Sequence, residues 1–142
     1  LDTTQAGTTG GSCVKFEYGD KGNGKATISG GVIEGILGNK AGQYTVRARV
    51  KVTSTTSTTP IFVLSMQNLN TMTIFERYKG AGEPSNEQVM FSPSQMKTEW
   101  NWVELPFYWD GIQPIELWTG RRGGYEPDLV FWEDKVEFVS MD

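Results

Sequence analysis

The chain has 142 residues, a formal net charge of −4, 37% apolar and 21% charged residues, a length that can bury roughly 70% of the surface its unfolded form exposes. It holds no histidine and one cysteine, Cys13, which excludes His-based triads, imidazole metal sites and any intrachain disulfide. No apolar run approaches the ~20 residues that cross a bilayer, and a pI near 4.9 excludes a nucleic-acid binder working through a basic field.

Residues 1–11 are polar and Gly/Thr-rich, with neither the basic start nor the apolar block of a signal peptide. They read as a flexible lead-in to one module spanning 1–142. A strand is expected over 13–18, with Cys13 as a small buried hydrophobe at its start. Residues 19–26 nearly spell a phosphate-binding loop, but no hydroxyl follows Lys25 and a strand, not a helix, is expected next, so this is a turn. That strand is expected over 26–34. Residues 44–52 alternate strictly: Tyr44, Val46, Ala48, Val50 and Val52 share one face, and Thr45, Arg47, Arg49 and Lys51 the other. The Ser/Thr run 53–59 reads as a long polar hairpin loop inside one domain. Strands follow over 61–66, 72–78 and 88–91, then a short helical turn within 92–99. Val103, Leu105, Phe107 and Trp109 share one parity on the next strand, with Trp102, Glu104 and Tyr108 on the other. The last strands cover 115–118 and 130–139, separated by a Gly/Arg-rich turn over 120–128. Many short strands with Gly, Asn, Asp and Pro between them predict an all-β chain, a β-sandwich (jelly roll) of two antiparallel sheets.

The five tryptophans, Trp100, Trp102, Trp109, Trp118 and Trp132, fall in the last third of the chain. Parity assigns Trp109 and Trp132 to the core. Trp102, Tyr108 and Trp118 fall on outward parities, where they either cover a sheet or form an aromatic platform. Such a platform suits sugar, because the C–H face of a pyranose packs on an aromatic ring while polar neighbours such as Arg121, Arg122, Gln88, Asn101 and Asp110 take its hydroxyls. Paired carboxylates could instead hydrolyse glycosides, but the acids from Glu99 to Asp134 single out no pair.

The run Ala41-Gly42-Gln43-Tyr44-Thr45-Val46-Arg47-Ala48-Arg49-Val50 resembles the Ala-Gly-x-Tyr strand of galactose-binding-like, β-jelly-roll carbohydrate-binding modules. Trp102-Val103-Glu104-Leu105-Pro106, Ile115-Glu116-Leu117 and residues 128–138 resemble their closing strands, families 6 and 35 being the nearest comparison. The resemblance implies a non-catalytic, secreted, monomeric module that targets an appended enzyme to a polysaccharide or oligosaccharide, a plant-type β-glycan above all. Neither nucleic acid nor membrane is implied as a partner. It implies a sugar site in the end loop 120–128, with Tyr125 stacking and Arg121 or Arg122 donating. That loop lacks the Trp-plus-Asn pair of the pattern, so a groove on the sheet face lined by Trp102, Tyr108, Trp118 and Tyr78, with Gln88 as a polar neighbour, competes with it. It also implies a structural calcium on acids of the first and last strands, Glu17 and Asp134 (or Asp142). A protein-interaction or adhesion sandwich of a surface or phage protein, and a small polysaccharide-cleaving enzyme, are the alternative functions.

Overall fold

The structure is a computed structural model and describes residues 1–16, 25–28, 30–58, 60–68, 70, 89–121 and 129–140. In chain order these form β1 (Val14–Phe16), β2 (Lys25–Ile28), α1 (Gly30–Leu37), β3 (Gly42–Val52), β4 (Phe62–Asn68), β5 (Val89–Phe91), α2 (Pro93–Met96), β6 (Asn101–Trp109), β7 (Ile115–Arg121) and β8 (Phe131–Ser140). The strands make two four-stranded antiparallel sheets, ordered β1-β8-β3-β6 and β2-β7-β4-β5. The expected β-sandwich is the observed fold. The strand expected over 72–78 and most of the turn over 19–26 lie outside the described residues.

Alternation decides what is inside. On β3 the face carrying Val46, Ala48 and Val50 is wholly buried, while Arg47, Arg49 and Lys51 on the other are half-buried. Phe131 of the first sheet stacks on Phe16 with ring centroids 4.7 Å apart and meets Phe62 of the second edge-on at 5.4 Å. Each such ring, taken out of water, contributes about 1.5–3 kcal/mol. Trp109 joins this core as expected, its indole N–H donating to the Gln113 carbonyl at 3.0 Å. Pro106 sits in β6 because β6 is an edge strand, where a missing N–H is tolerated.

Three expectations need correction. The strand foreseen over 26–34 stops at Ile28, and Gly30–Leu37 form α1 instead. Ile33 and Leu37, four residues apart, turn one face of this helix into the core, and α1 packs on β7 and β8. Gly38 and Asn39, both at positive φ, end it, with the Asn39 N–H donating back to the Glu34 carbonyl at 3.2 Å. Second, the Ser/Thr run after β3 is no hairpin: β3 and β4 belong to different sheets, so it carries the chain from one layer to the other. Third, Trp132 is not in the core. The β3–β8 register slips between Arg49 and Val50, so that Arg49 faces Lys135 while Val50 faces Glu133 and Asp134 is the extra, bulged residue. Phe131 and Glu133 point inward before the bulge, Val136 and Phe138 after it, and Trp132 faces out.

Residues 1–11, expected as a flexible lead-in, make specific contacts along the first sheet. Asp2 bridges Cys13, and the Arg49 guanidinium donates to the Gly7 carbonyl at 2.7 Å. The Thr9 N–H and hydroxyl donate to Asp134 at 2.9 and 2.7 Å. Cys13 is buried and free, as expected.

Candidate functional site

The outer face of the first sheet alternates cations and indoles. Arg47 lies 4.2 Å over the Trp102 ring and Lys135 lies 5.4 Å from it. Lys51 sits between Trp100 at 4.9 Å and Trp132 at 5.3 Å, with Arg49 also 5.1 Å from Trp100. Acids fix Arg47, Arg49 and Lys135 in turn. Glu137 takes two hydrogen bonds from Arg47, at 2.9 and 2.6 Å, and pairs with Lys135 at 3.0 Å. The Arg47 hydrogen bond, and then that of Lys135, hold the Glu137 carboxyl below its usual range. The indole N–H groups of Trp100 and Trp132 donate to the Ala6 carbonyl at 2.9 Å and to Asp2 at 3.0 Å. A sugar landing here would have to displace charged side chains already packed on the rings.

The second sheet's outer face is built differently. β4 is buried on both sides: Phe62, Leu64 and Met66 belong to the core, and Val63, Ser65 and Gln67 point the other way yet are equally covered. Beside them on β7, Glu116 and Trp118 are half-buried, Gln67 lying opposite Glu116 and Ser65 opposite Trp118. The Ser65 hydroxyl donates to Gln67 at 3.4 Å, and the Gln67 amide donates to the Glu116 carboxylate at 3.1 Å. Two buried polar side chains thus aim one carboxylate next to one indole. Among the described residues, Trp118 alone of the five tryptophans has neither a cation over its ring nor an acceptor for its N–H.

The groove expected from Trp102, Tyr108 and Trp118 together is therefore not one surface. Trp102 and the exposed Tyr108 lie on the outer face of the first sheet, and Trp118 lies on that of the second. Alternation places a residue outside its own sheet but cannot say which sheet a strand joins. Arg121 ends β7, opposite Phe62. Tyr125, Arg122, Tyr78 and Gln88 lie outside the described residues or their described side chains, and with them the end-loop site. Ser65 and Gln67, not foreseen as site residues, carry only a faint sequence signal: two polar residues at alternate positions among the apolar Phe62, Val63, Leu64 and Met66.

Of the acids expected to hold calcium, Glu17 and Asp142 lie outside the described residues. Burial raises the Asp134 carboxyl, but hydrogen bonds from Thr9 and Arg49 outweigh it and hold the group below its usual range. Its two oxygens already serve Thr9 and the Arg49 guanidinium, the latter at 2.8 Å. A calcium ion would compete there with a positive charge already in place, so Asp134 as it stands does not fit one. Among the described residues no three Asp, Glu or Cys side chains gather to hold a metal.

No family model matches the chain, and no curated protein matches it. Solved structures do. A second family 16 carbohydrate-binding module superposes with a TM-score of 0.54 at 12% identity, over 92% of this chain and 78% of that one. The chain has the β-sandwich fold of carbohydrate-binding modules. A CBM4 structure gives a TM-score of 0.53 at 16% identity, covering 99% of this chain and 87% of its own. A protein of Bacteroides thetaiotaomicron VPI-5482, described as sugar binding, gives 0.52 at 13% identity over 91% and 81%. The first two modules are numbered 16 and 4, not 6 or 35. Within this fold, Glu116 and Trp118 occupy the outer face of the β2-β7-β4-β5 sheet. Among the described residues no helix is long and apolar enough to cross a membrane.

Proposed function

We propose that the chain is a carbohydrate-binding module that holds a glycan on the outer face of its second sheet, breaking no bond. The observation that carries this is the Trp118 indole, which has neither a cation nor an acceptor among the described residues, beside a carboxylate that Gln67 fixes in place. The C–H face of a pyranose packs on Trp118, and Glu116 accepts from the sugar hydroxyls. Covering such a ring removes apolar area from water at ~25 cal/mol per Å², about 1–3 kcal/mol for one sugar unit. One hydrogen bond to a charged acceptor adds about 1.5–3 kcal/mol. Together these give the weak, reversible grip that suits tethering.

In this reading the module is a secreted monomer. It brings an appended enzyme to an extended polysaccharide, for which a plant-type β-glycan, with its flat exposed ring faces, is the preferred candidate. Affinity gels carrying a panel of soluble glycans, followed by calorimetry on the retarded ones, test it. Trp118→Ala should abolish retardation while the unfolding midpoint stays within a few degrees. Unchanged binding by that variant would remove the sheet-face site, and retention on no glycan would turn the reading toward a protein-binding sandwich.

A further inference from the structure

A concavity whose lining does not include Trp118 lies between the crossover at residues 52–58 and the segment 93–98. Its volume is about 350 Å³, within the range of small-ligand sites. Val52 and Pro93, both buried, make an apolar floor. The walls are hydroxyls, and those of Ser54, Thr56, Thr58 and Thr98 have no protein partner among the described residues. Lys97 stands at the rim.

The backbone of Lys97 is the unusual part. Its φ of 70° and ψ of 162° fall where glycine is at ease and a side chain is strained. Two hydrogen bonds keep it there: its N–H donates to the Pro93 carbonyl at 2.9 Å, and its own carbonyl accepts from Val52 at 2.9 Å. Glycine would make the same two bonds without strain. What lysine adds is an ammonium, and it is exposed and has no acidic partner among the described residues.

We propose that this cleft takes the carboxylate-bearing ring of an acidic saccharide, a uronate, with Lys97 as its counter-ion. The uronate C–H groups lie on Val52 and Pro93, its hydroxyls meet the uncommitted Ser and Thr hydroxyls, and its carboxylate reaches the ammonium. The choice of ligand class rests on the sugar-binding reading above, but the site does not share residues with it.

Titrating ¹⁵N-labelled protein with galacturonate, and separately with galactose and acetate, tests the site. Galacturonate should move the amide signals of residues 53–58, 94, 97 and 98, and galactose or acetate at equal concentration should move them at least fivefold less. Lys97→Gly should raise the melting temperature yet weaken galacturonate binding at least tenfold, whereas Lys97→Arg should keep most of it. Absent shifts, equal shifts with acetate, or undiminished binding by Lys97→Gly would overturn the proposal. The shifts report on this cleft whether or not a neutral glycan binds at Trp118, so the two readings fail separately.

Discussion

The Thr119 hydroxyl donates to Oε1 of Glu133 at 3.0 Å between the two sheets, and the other oxygen of that buried carboxyl has no partner among the described residues. Burial is the larger influence, and it pushes the Glu133 carboxyl up to about 7, against the smaller downward pull of Thr119. The folded protein therefore keeps a proton that the unfolded chain releases near 4.5. A raised carboxyl stabilises the fold at low pH, and that contribution fades as pH climbs from about 4.5 to about 7. Its full size is about 3 kcal/mol. Urea unfolding at steps between pH 4.5 and 8 should show this decline, and Glu133→Gln should flatten it. A profile unchanged by that substitution would mean that Glu133 titrates normally. Below pH 4 the slope should reverse, since Asp110, Asp134 and Glu137 are held below their usual range.

Trp102→Ala should leave glycan binding intact while lowering stability by about 1–2 kcal/mol, since it strips the packing of Arg47 and Lys135 from the first sheet. Calorimetric titration with the best-retained glycan, alongside denaturant unfolding, separates the two effects. Loss of binding with the fold intact would move the site to the first sheet.

Glu116→Ala should weaken glycan binding about tenfold, near 1.4 kcal/mol, with little change in melting temperature. The half-buried carboxylate has one described protein partner, Gln67. An unaltered dissociation constant would show that Glu116 does not touch the sugar.

The thiol of Cys13 should resist an aromatic disulfide reagent in the native protein and react at the rate of global opening. Its side chain is 2% exposed, and burial, then the charges of Asp2 and Asp134, raise its pKa. Prompt native-state labelling would show that the Asp2–Cys13 bridge opens locally.

The sheets were legible in the sequence because alternation is a local property. Val46, Ala48 and Val50 on β3, like Val103, Leu105 and Phe107 on β6, face inward as their parity requires. What parity cannot carry is anything that depends on the partner strand. It cannot show that the strand bearing Trp102 and the strand bearing Trp118 join different sheets, which is why one expected groove became two surfaces. The bulge reversed the phase of β8 halfway, sending Trp132 outward against the pattern of Val136 and Phe138. Helix α1 stayed hidden because its three glycines and its Val-Ile and Ile-Leu pairs imitate a β segment, and only burial of Ile33 and Leu37 against the sandwich selects the helix. Gln67, at the centre of the proposed site, is an ordinary polar residue until its amide is seen on Glu116.

Asp134 also has a meaning that reaches beyond register. Glu133 already faces Val50 and Lys135 already faces Arg49, so a β8 shortened by that one residue would zigzag without interruption and still turn Phe131, Val136 and Phe138 inward. The pairing gains nothing from the surplus residue. The amino-terminal stretch does: the carboxylate is its clasp, grasping Thr9 directly and steering the Arg49 guanidinium that holds the Gly7 carbonyl. Excising Asp134 would thus free the stretch around Thr9, while Asp2 stays bridged to Cys13 and Ala6 stays bonded to Trp100, and the sandwich itself remains laced together.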